Sequence, residues 1–287
     1  MAEESLTIEQ AKRALMGFKD TVVLMEQLKA SDPEQYRAMI AAAEEAFRKA
    51  ELNYVDNIEP SALAFYKSQP FGDNPLSSRP FPLHSAEMFL LFASILEILR
   101  LPKGSRVLDI GCGSGWTSVF LGKTGYVVTG LDIAPKKIAI AREKARAYQV
   151  DVEFVVKDVD ELDYKQQFDA ILMYATLHHC LHEEEALRNC YAALKDGGRL
   201  LLIEPGEGHS RSSLGIVERY GTLEKGVSSR HLEQVLRAVG FRNITLFVSF
   251  PCVERRSLLR MLRQVAKSMM HYCLYSKKHL NIVLAER

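Results

Sequence analysis

No stretch of this chain is long and apolar enough to span a bilayer. The first residues, Met1-Ala2-Glu3-Glu4-Ser5, carry acid where a secretion leader needs a basic start and then an apolar core, so no signal peptide is expected. An excess of either charge is lacking too. The 37 lysines and arginines nearly balance 36 aspartates and glutamates, and a net +1 gives no general pull toward nucleic acid or an acidic surface. Basic patches with interleaved aromatics are missing, which argues against an RNA-binding face. The five cysteines (Cys112, Cys180, Cys190, Cys252 and Cys273) are odd in number and lack metal-ligand spacing. They read as free thiols in a reducing cytoplasm, with no metal expected. No internal repeat or low-complexity segment is present.

The first 60 residues are acidic and helical in pattern. Ile8, Ala11, Leu15, Phe18, Val22 and Met25 recur at three- and four-residue steps, which predicts a helix over 8–29. Thr7 with Gln10, and Ser31 with Glu34 near Pro33, resemble capping boxes, and the second opens a helix over 33–51. The acids read as a solvated face, or as a lid or dimerisation arm. Residues 67–84 mix proline, glycine and aromatics and read as an ordered loop, on the ground that Phe71 and Phe81 would otherwise be exposed. Ser85 is expected to cap a helix facing inward through Met88, Leu91, Ile95 and Leu99.

Beyond that point strands and helices alternate. Strands are expected at 106–110, 126–131, 152–156, 169–174 and 199–204, with helices near 116–123, 135–148, 183–194 and 229–239. Two late strands follow at 243–249 and 280–285. This order implies an α/β fold with a mostly parallel sheet covered by helices on both faces. We divide the chain into a helical N-terminal extension with a cap loop, 1–84, and a ligand-binding domain, 85–287, carrying a basic helical insertion at about 252–278.

The most informative stretch is Val107-Leu108-Asp109-Ile110-Gly111-Cys112-Gly113-Ser114-Gly115. A buried strand runs into a glycine turn, where open α/β sheets bind ligands. A dinucleotide fingerprint wants its third glycine where Trp116 stands. Asp109, just ahead of the first glycine, would repel a pyrophosphate but can engage a cation. S-adenosylmethionine has an ammonium, a sulfonium and no phosphate, so the departure points to it.

In its order of motifs the chain resembles the class I S-adenosylmethionine-dependent methyltransferases over about 105–287. The glycine loop resembles the family's first motif. Gly130-Leu131-Asp132-Ile133-Ala134 resembles the second, and implies that Asp132 accepts from the ribose hydroxyls with Ile133 beside it. Lys157-Asp158-Val159 then implies an adenine contact at Asp158, with Asp160 and Glu161 as rivals. Phe168 to His179 resembles the fourth strand and its loop, and places Met173 and Tyr174 beside the methionine part of the cofactor. Leu194 to Leu202 resembles the turn into the fifth strand. The resemblance implies a Rossmann-like sheet of seven strands, with Asp109, Gly111, Cys112, Gly113, Gly115, Asp132, Ile133, Asp158, Val159, Met173 and Tyr174 as the cofactor set.

Methyl transfer is an in-line displacement that asks the protein chiefly to position two reactants. A base is needed only for a nucleophile that must lose a proton. The candidates are His178, His179 and Glu204, with His182 and His209 beyond, histidine being suited by its pKa. The family's Asn- or Asp-Pro-Pro-Tyr tetrad is absent after the fourth strand, where Met173-Tyr174-Ala175-Thr176 stands, so an amino-directed nucleic-acid methyltransferase is not expected. The basic segment 254–270, with Leu258, Leu259, Leu262, Val265 and Met269 at helical spacing, either packs on the domain or rests on an anionic inner-membrane face. The expected acceptor is a small or medium-sized molecule; the loop Glu204-Pro205-Gly206-Glu207-Gly208-His209-Ser210 and the stretch 218–225 resemble methyltransferases found with bacterial glycan-assembly enzymes, which with the basic segment suggests a saccharide or lipid-linked hydroxyl. The rival reading is a cofactor-binding sensor or assembly protein without catalysis.

Overall fold

The computed structural model describes residues 7–75, 80–247 and 280–287, together with Arg263 and Ala266. The basic insertion, including the segment 254–270, otherwise lies outside the described residues. Seven strands form one sheet: β1 (Arg106–Ile110), β2 (Val127–Asp132), β3 (Glu153–Val156), β4 (Phe168–Tyr174), β5 (Leu194–Glu204), β6 (Arg242–Phe247) and β7 (Asn281–Glu286). Their order is β3-β2-β1-β4-β5-β7-β6. The first five pair in parallel, and β7 runs antiparallel between β5 and β6. The expected strand positions thus hold to within one residue where they are described, positions 248 and 249 of the sixth lying outside the described residues, except that β5 starts earlier, at Leu194, which pairs with Phe168 across a register shift.

Successive strand residues face opposite sides of a sheet, and two clusters divide accordingly. Leu108, Ile110, Ile171, Met173, Leu200 and Leu202 pack on one side with the helices Glu183–Ala193 and Ser229–Val239. Val107, Ala170, Leu172, Leu201 and Ile203 pack on the other with Leu91, Ile95 and Leu99 of the helix Leu83–Leu99 and with Trp116. Both faces are buried, so these strands read as near-continuous apolar runs. Strand order reverses between β1 and β4, which opens a crevice at their carboxyl ends.

The N-terminal part departs from expectation in three places. The helix expected over 8–29 is two helices, Ile8–Leu15 and Lys19–Ser31, because Gly17 takes φ +81° and breaks the run. The helical phase resets there, so Val22 is exposed while Thr21, Met25 and Leu28 turn inward. The cap of the helix Pro33–Leu52 is Asp32, whose carboxylate accepts from the Glu34 and Gln35 amides, whereas Ser31 still belongs to the preceding helix. Ser85 lies buried inside the helix Leu83–Leu99 and does not cap it. The Thr7–Gln10 capping box is formed.

The three helices share a core of Ala11, Met25, Leu28, Met39 and Ala43. They dock on the rest of the chain through Phe47, which packs with Met16, Val217 and Leu223. Val217 and Leu223 lie after β5, so this contact brings the extension over the carboxyl edge of the sheet. Phe47→Ala is expected to cost about 3–5 kcal/mol of stability in urea unfolding. A loss below ~1 kcal/mol would mean that the docking contributes little.

Candidate functional site

The crevice leads into a cavity of ≈ 860 Å³, toward the upper end of the ~300–1,000 Å³ usual for ligand pockets. Its floor is the turn after β1. Gly111 takes φ +69° and Gly113 φ +55°, a left-handed backbone that side chains resist. A Cβ at Gly111 would stand 2.2 Å from Thr176 Oγ1, and one at Gly113 would stand 2.5 Å from the Tyr66 hydroxyl. The glycines therefore serve close approach as well as the turn. Gly115 lies outside the lining, packed against Ala141 and Phe154.

Two acids hold this turn. Asp109 Oδ2 accepts from Thr117 Oγ1 at 2.5 Å and Ser118 Oγ at 2.6 Å, which ties β1 to the next helix. Burial pushes its carboxyl up to about 6, against the pull of those hydroxyls. Asp132, at the end of β2, accepts from the Gly113 amide at 3.1 Å and the Ala134 amide at 2.9 Å. Lys137 Nζ stands 3.9 Å from Asp132 and 3.6 Å from Glu51. Despite its burial, Lys137 is held charged above the usual range by Asp132, Tyr66 and Glu51.

Of the expected cofactor set, Asp109, Gly111, Cys112, Gly113, Asp132, Ile133, Asp158, Val159 and Tyr174 line the cavity. Met173 does not: it is fully buried in the core, its sulfur 3.9 Å from Cys190 Sγ. Asp158 shares its wall with Asp160 and Glu161. Asp158 is occupied by the Asp160 amide at 3.1 Å and by Arg48 at 3.7 Å. Asp160 is pushed up to about 6 by burial and by Asp158, and its Oδ1 has no hydrogen-bond partner.

The expected catalytic residues separate by where their polar atoms go. Glu204 is fully buried and outside the lining; it accepts from the amides of Thr176, Leu177 and His178, and from His178 Nδ1 at 2.7 Å. His178 is buried behind the wall, with Nε2 3.5 Å from Glu224. His209, also outside the lining, contacts Glu224 through Nε2 at 2.7 Å. Of the five candidates His182 lines the cavity, and so does His179. Its Nδ1–H donates to the Leu223 carbonyl at 2.6 Å, and Glu51 Oε1 stands 3.2 Å away, off that hydrogen-bond line. Glu51 and Glu224 overcome desolvation and raise His179 to about 9. It therefore faces the cavity as a cation at neutral pH.

Several residues of this site escaped the sequence reading: Glu51, Tyr54, Tyr66, Gln69, Lys137, Lys144 and Glu224. Glu51 had a readable signal. It continues the four-residue steps Met39, Ala43, Phe47 of a buried face, where an acid is out of place. Gln69 and Lys144 pin the cap loop. Ser114 donates to Gln69 Oε1 at 2.7 Å, and Lys144 Nζ donates to the Gln69 carbonyl at 2.8 Å and to Ser114 Oγ at 3.2 Å. The described part of 67–84 is thus held by polar contacts, while Phe71 and Phe81 stay exposed, contrary to the reason given for its order.

Residues 107–198 match the family model described as a methyltransferase domain. Over 176 residues the chain is 30% identical to the S-adenosyl-L-methionine-dependent Diels-Alderase iccD of Talaromyces variabilis, covering 58% of this chain and 59% of that protein. Over 99 residues it is 36% identical to the ubiquinone biosynthesis O-methyltransferase of Coxiella burnetii (strain Dugway 5J108-111), covering 34% and 42%. The aligned part spans less than two thirds of either relative. The fold is similar to that of Haemonchus contortus phosphoethanolamine N-methyltransferase 2, solved with phosphomonomethylethanolamine and S-adenosylhomocysteine, at TM-score 0.59, 21% identity and coverage of 84% and 60%.

Burial lowers the Lys144 ammonium from 10.5 to about 8. Its folded pKa lies below the unfolded one, so the cost of burying the charge is present in full below pH 8 and is relieved as pH rises from 8 to 10.5. Lys144→Met has no such titration. The Tm of the wild type minus that of the variant is expected to be level below about pH 7 and to climb above pH 8. A level difference across the whole range contradicts this.

Proposed function

We propose that this chain, whose residues 107–198 match a methyltransferase domain, is a class I S-adenosylmethionine-dependent methyltransferase that transfers a methyl group to a small or medium-sized acceptor. The observation that carries the reading is the charge of the cavity around its glycine turn. Among the described residues nine carboxylates line it (Glu44, Glu45, Glu51, Asp109, Asp132, Asp158, Asp160, Glu161 and Glu224) against three lysines and arginines (Arg48, Lys137 and Lys157). Such a wall disfavours a pyrophosphate and suits a ligand that is cationic and free of phosphate. The glycines at 111 and 113 let Thr176 and Tyr66 close on the turn, which shapes the cavity floor.

When bound, S-adenosylmethionine supplies an electrophilic methyl group on its sulfonium. Asp132 would hold the ribose and Asp158 or Asp160 the adenine, while the backbone of Gly111 to Gly113 and Tyr174 flank the rest. Glu51 and Tyr54 line the cavity together with His179 and Glu224, and we assign these four to the acceptor. The N-terminal helices and the loop pinned by Gln69 would exclude water and keep the two reactants in register. Glu51 and Glu224 are held below the usual carboxylate range, and His179 holds its proton, so none of the three is a strong base at neutral pH. Their chemistry is recognition: carboxylates accept from hydroxyls and an imidazolium donates to an oxygen. A saccharide hydroxyl, free or lipid-linked, is the acceptor this favours.

A second reading is carried by the similarity to a Diels-Alderase: the chain binds the cofactor and acts on a partner molecule without spending the methyl group. One experiment separates the two. The protein is incubated with methyl-labelled cofactor and a metabolite extract, and products are read by mass spectrometry. A labelled product is expected; cofactor binding with an unlabelled, rearranged product supports the second reading. In calorimetry, Asp132→Ala is expected to weaken cofactor binding about 10–150-fold, the worth of one charged hydrogen bond. Unchanged affinity would remove Asp132 from the cofactor set.

A further inference from the structure

We propose that His178, His179 and Glu224 form a binding site for one divalent transition-metal ion at the acceptor end of the cavity. One ring nitrogen of each histidine and one oxygen of Glu224 already lie within 4.8 Å of one another. Bonds of ~2.0–2.2 Å to a common ion require neighbouring donors at roughly 3–3.5 Å. His178 Nε2 and Glu224 Oε2, at 3.5 Å, are at that spacing. His179 completes the group within 4.8 Å.

The surroundings are those a metal site needs. A ligating imidazole is held by an acceptor on its far nitrogen, which fixes its tautomer and orientation. Both histidines have that acceptor: Nδ1 of His178 is bound to Glu204 and Nδ1 of His179 to the Leu223 carbonyl. Each therefore has Nε2 left for a ligand. Glu224 is oriented in turn by His209 Nε2 at 2.7 Å and by Thr222 Oγ1 at 3.2 Å. Two buried carboxylates, Glu204 and Glu224, and the half-buried Glu51 surround the two rings, and Glu51 Oε1 has no hydrogen-bond partner among the described residues. Two imidazoles and one carboxylate are borderline donors, suited to zinc, iron or manganese rather than to calcium or magnesium. Glu224 and His179 face the cavity and His178 does not, so the open coordination positions would face the cavity. The inference concerns metal binding alone and stands apart from methyl transfer.

The test is titration of chelator-treated full-length protein with Co(II), followed by visible absorption and by competition with Zn(II). One equivalent with a d–d band and no sulfur charge-transfer band is expected. Glu224→Gln and His178→Asn are each expected to weaken binding ~30-fold or more, and Glu204→Gln ~10–100-fold by releasing the His178 ring. Long-range ¹H–¹⁵N spectra of the wild type, which need no variant, are expected to show Zn(II) shifting Nε2 of both histidines. No stoichiometric uptake, a sulfur band, or unchanged ring nitrogens in the presence of bound metal overturns the proposal. Cofactor binding measured on the same sample reports on the methyltransferase reading separately.

Discussion

A single buried carboxylate ties the two ends of this site together. Glu204 closes β5 and is shut off from water. Burying a charge is expensive unless it is hydrogen-bonded, and here three consecutive amides, Thr176 to His178, and the His178 ring all converge on it. The loop after β4 has to wrap around that carboxylate. Thr176, its second residue, then reaches the other way, donating to the Ile110 carbonyl at 3.1 Å and leaving no room for a Cβ at Gly111. Its later residues turn His178 and His179 toward Glu224 and Glu51. One acid at a strand end thereby sets the glycine turn on one side and the histidine–carboxylate group on the other.

The same dependence explains what could be read from the residue string. The strands are legible because both faces of the sheet are buried and each runs as an apolar segment. The glycine turn is legible because backbone in the left-handed region demands that residue type. Asp109 is visible as an oddity, but its hydroxyl partners, eight and nine residues on, are found only in three dimensions. The histidines are recognisable as polar groups near a strand end. Which of them meets the cavity is decided by Nδ1 acceptors 26 and 44 positions away, and nothing local encodes that. Helix breaks were misjudged where a single glycine reset the phase, at Gly17, because periodicity alone does not register a one-residue interruption.

The acidic N-terminal helices were read as a solvated face, and that view is too simple. Acids at Glu44, Glu45 and Glu51 belong to the cavity wall, and Arg48 between them bridges to Asp158 and Glu161 across the cavity mouth. Phe47 on the same helix supplies the apolar anchor. A helix that places its anchor at one step and its acids at neighbouring steps can both dock and line a site. The extension therefore contributes side chains to the ligand pocket as well as covering it.

At the acceptor end the charges limit what chemistry the protein can supply. His179 sits between two carboxylates that keep its proton in place, and those carboxylates are in turn kept ionised by the histidines around them. Such a group binds and orients strongly but gives up or takes up a proton reluctantly, because any single transfer leaves a buried charge without its partner. Methyl transfer tolerates this, since the sulfonium already makes the methyl group electrophilic and alignment does most of the work. A group built for general-base catalysis would have a ring nitrogen facing the acceptor with its pKa near 7. Here the proton is locked, and the balance between the imidazoles and carboxylates can change only if a cation enters or an acceptor donates to them. Under the proposed function, recognition of the acceptor and charge compensation are the same event at this end of the cavity.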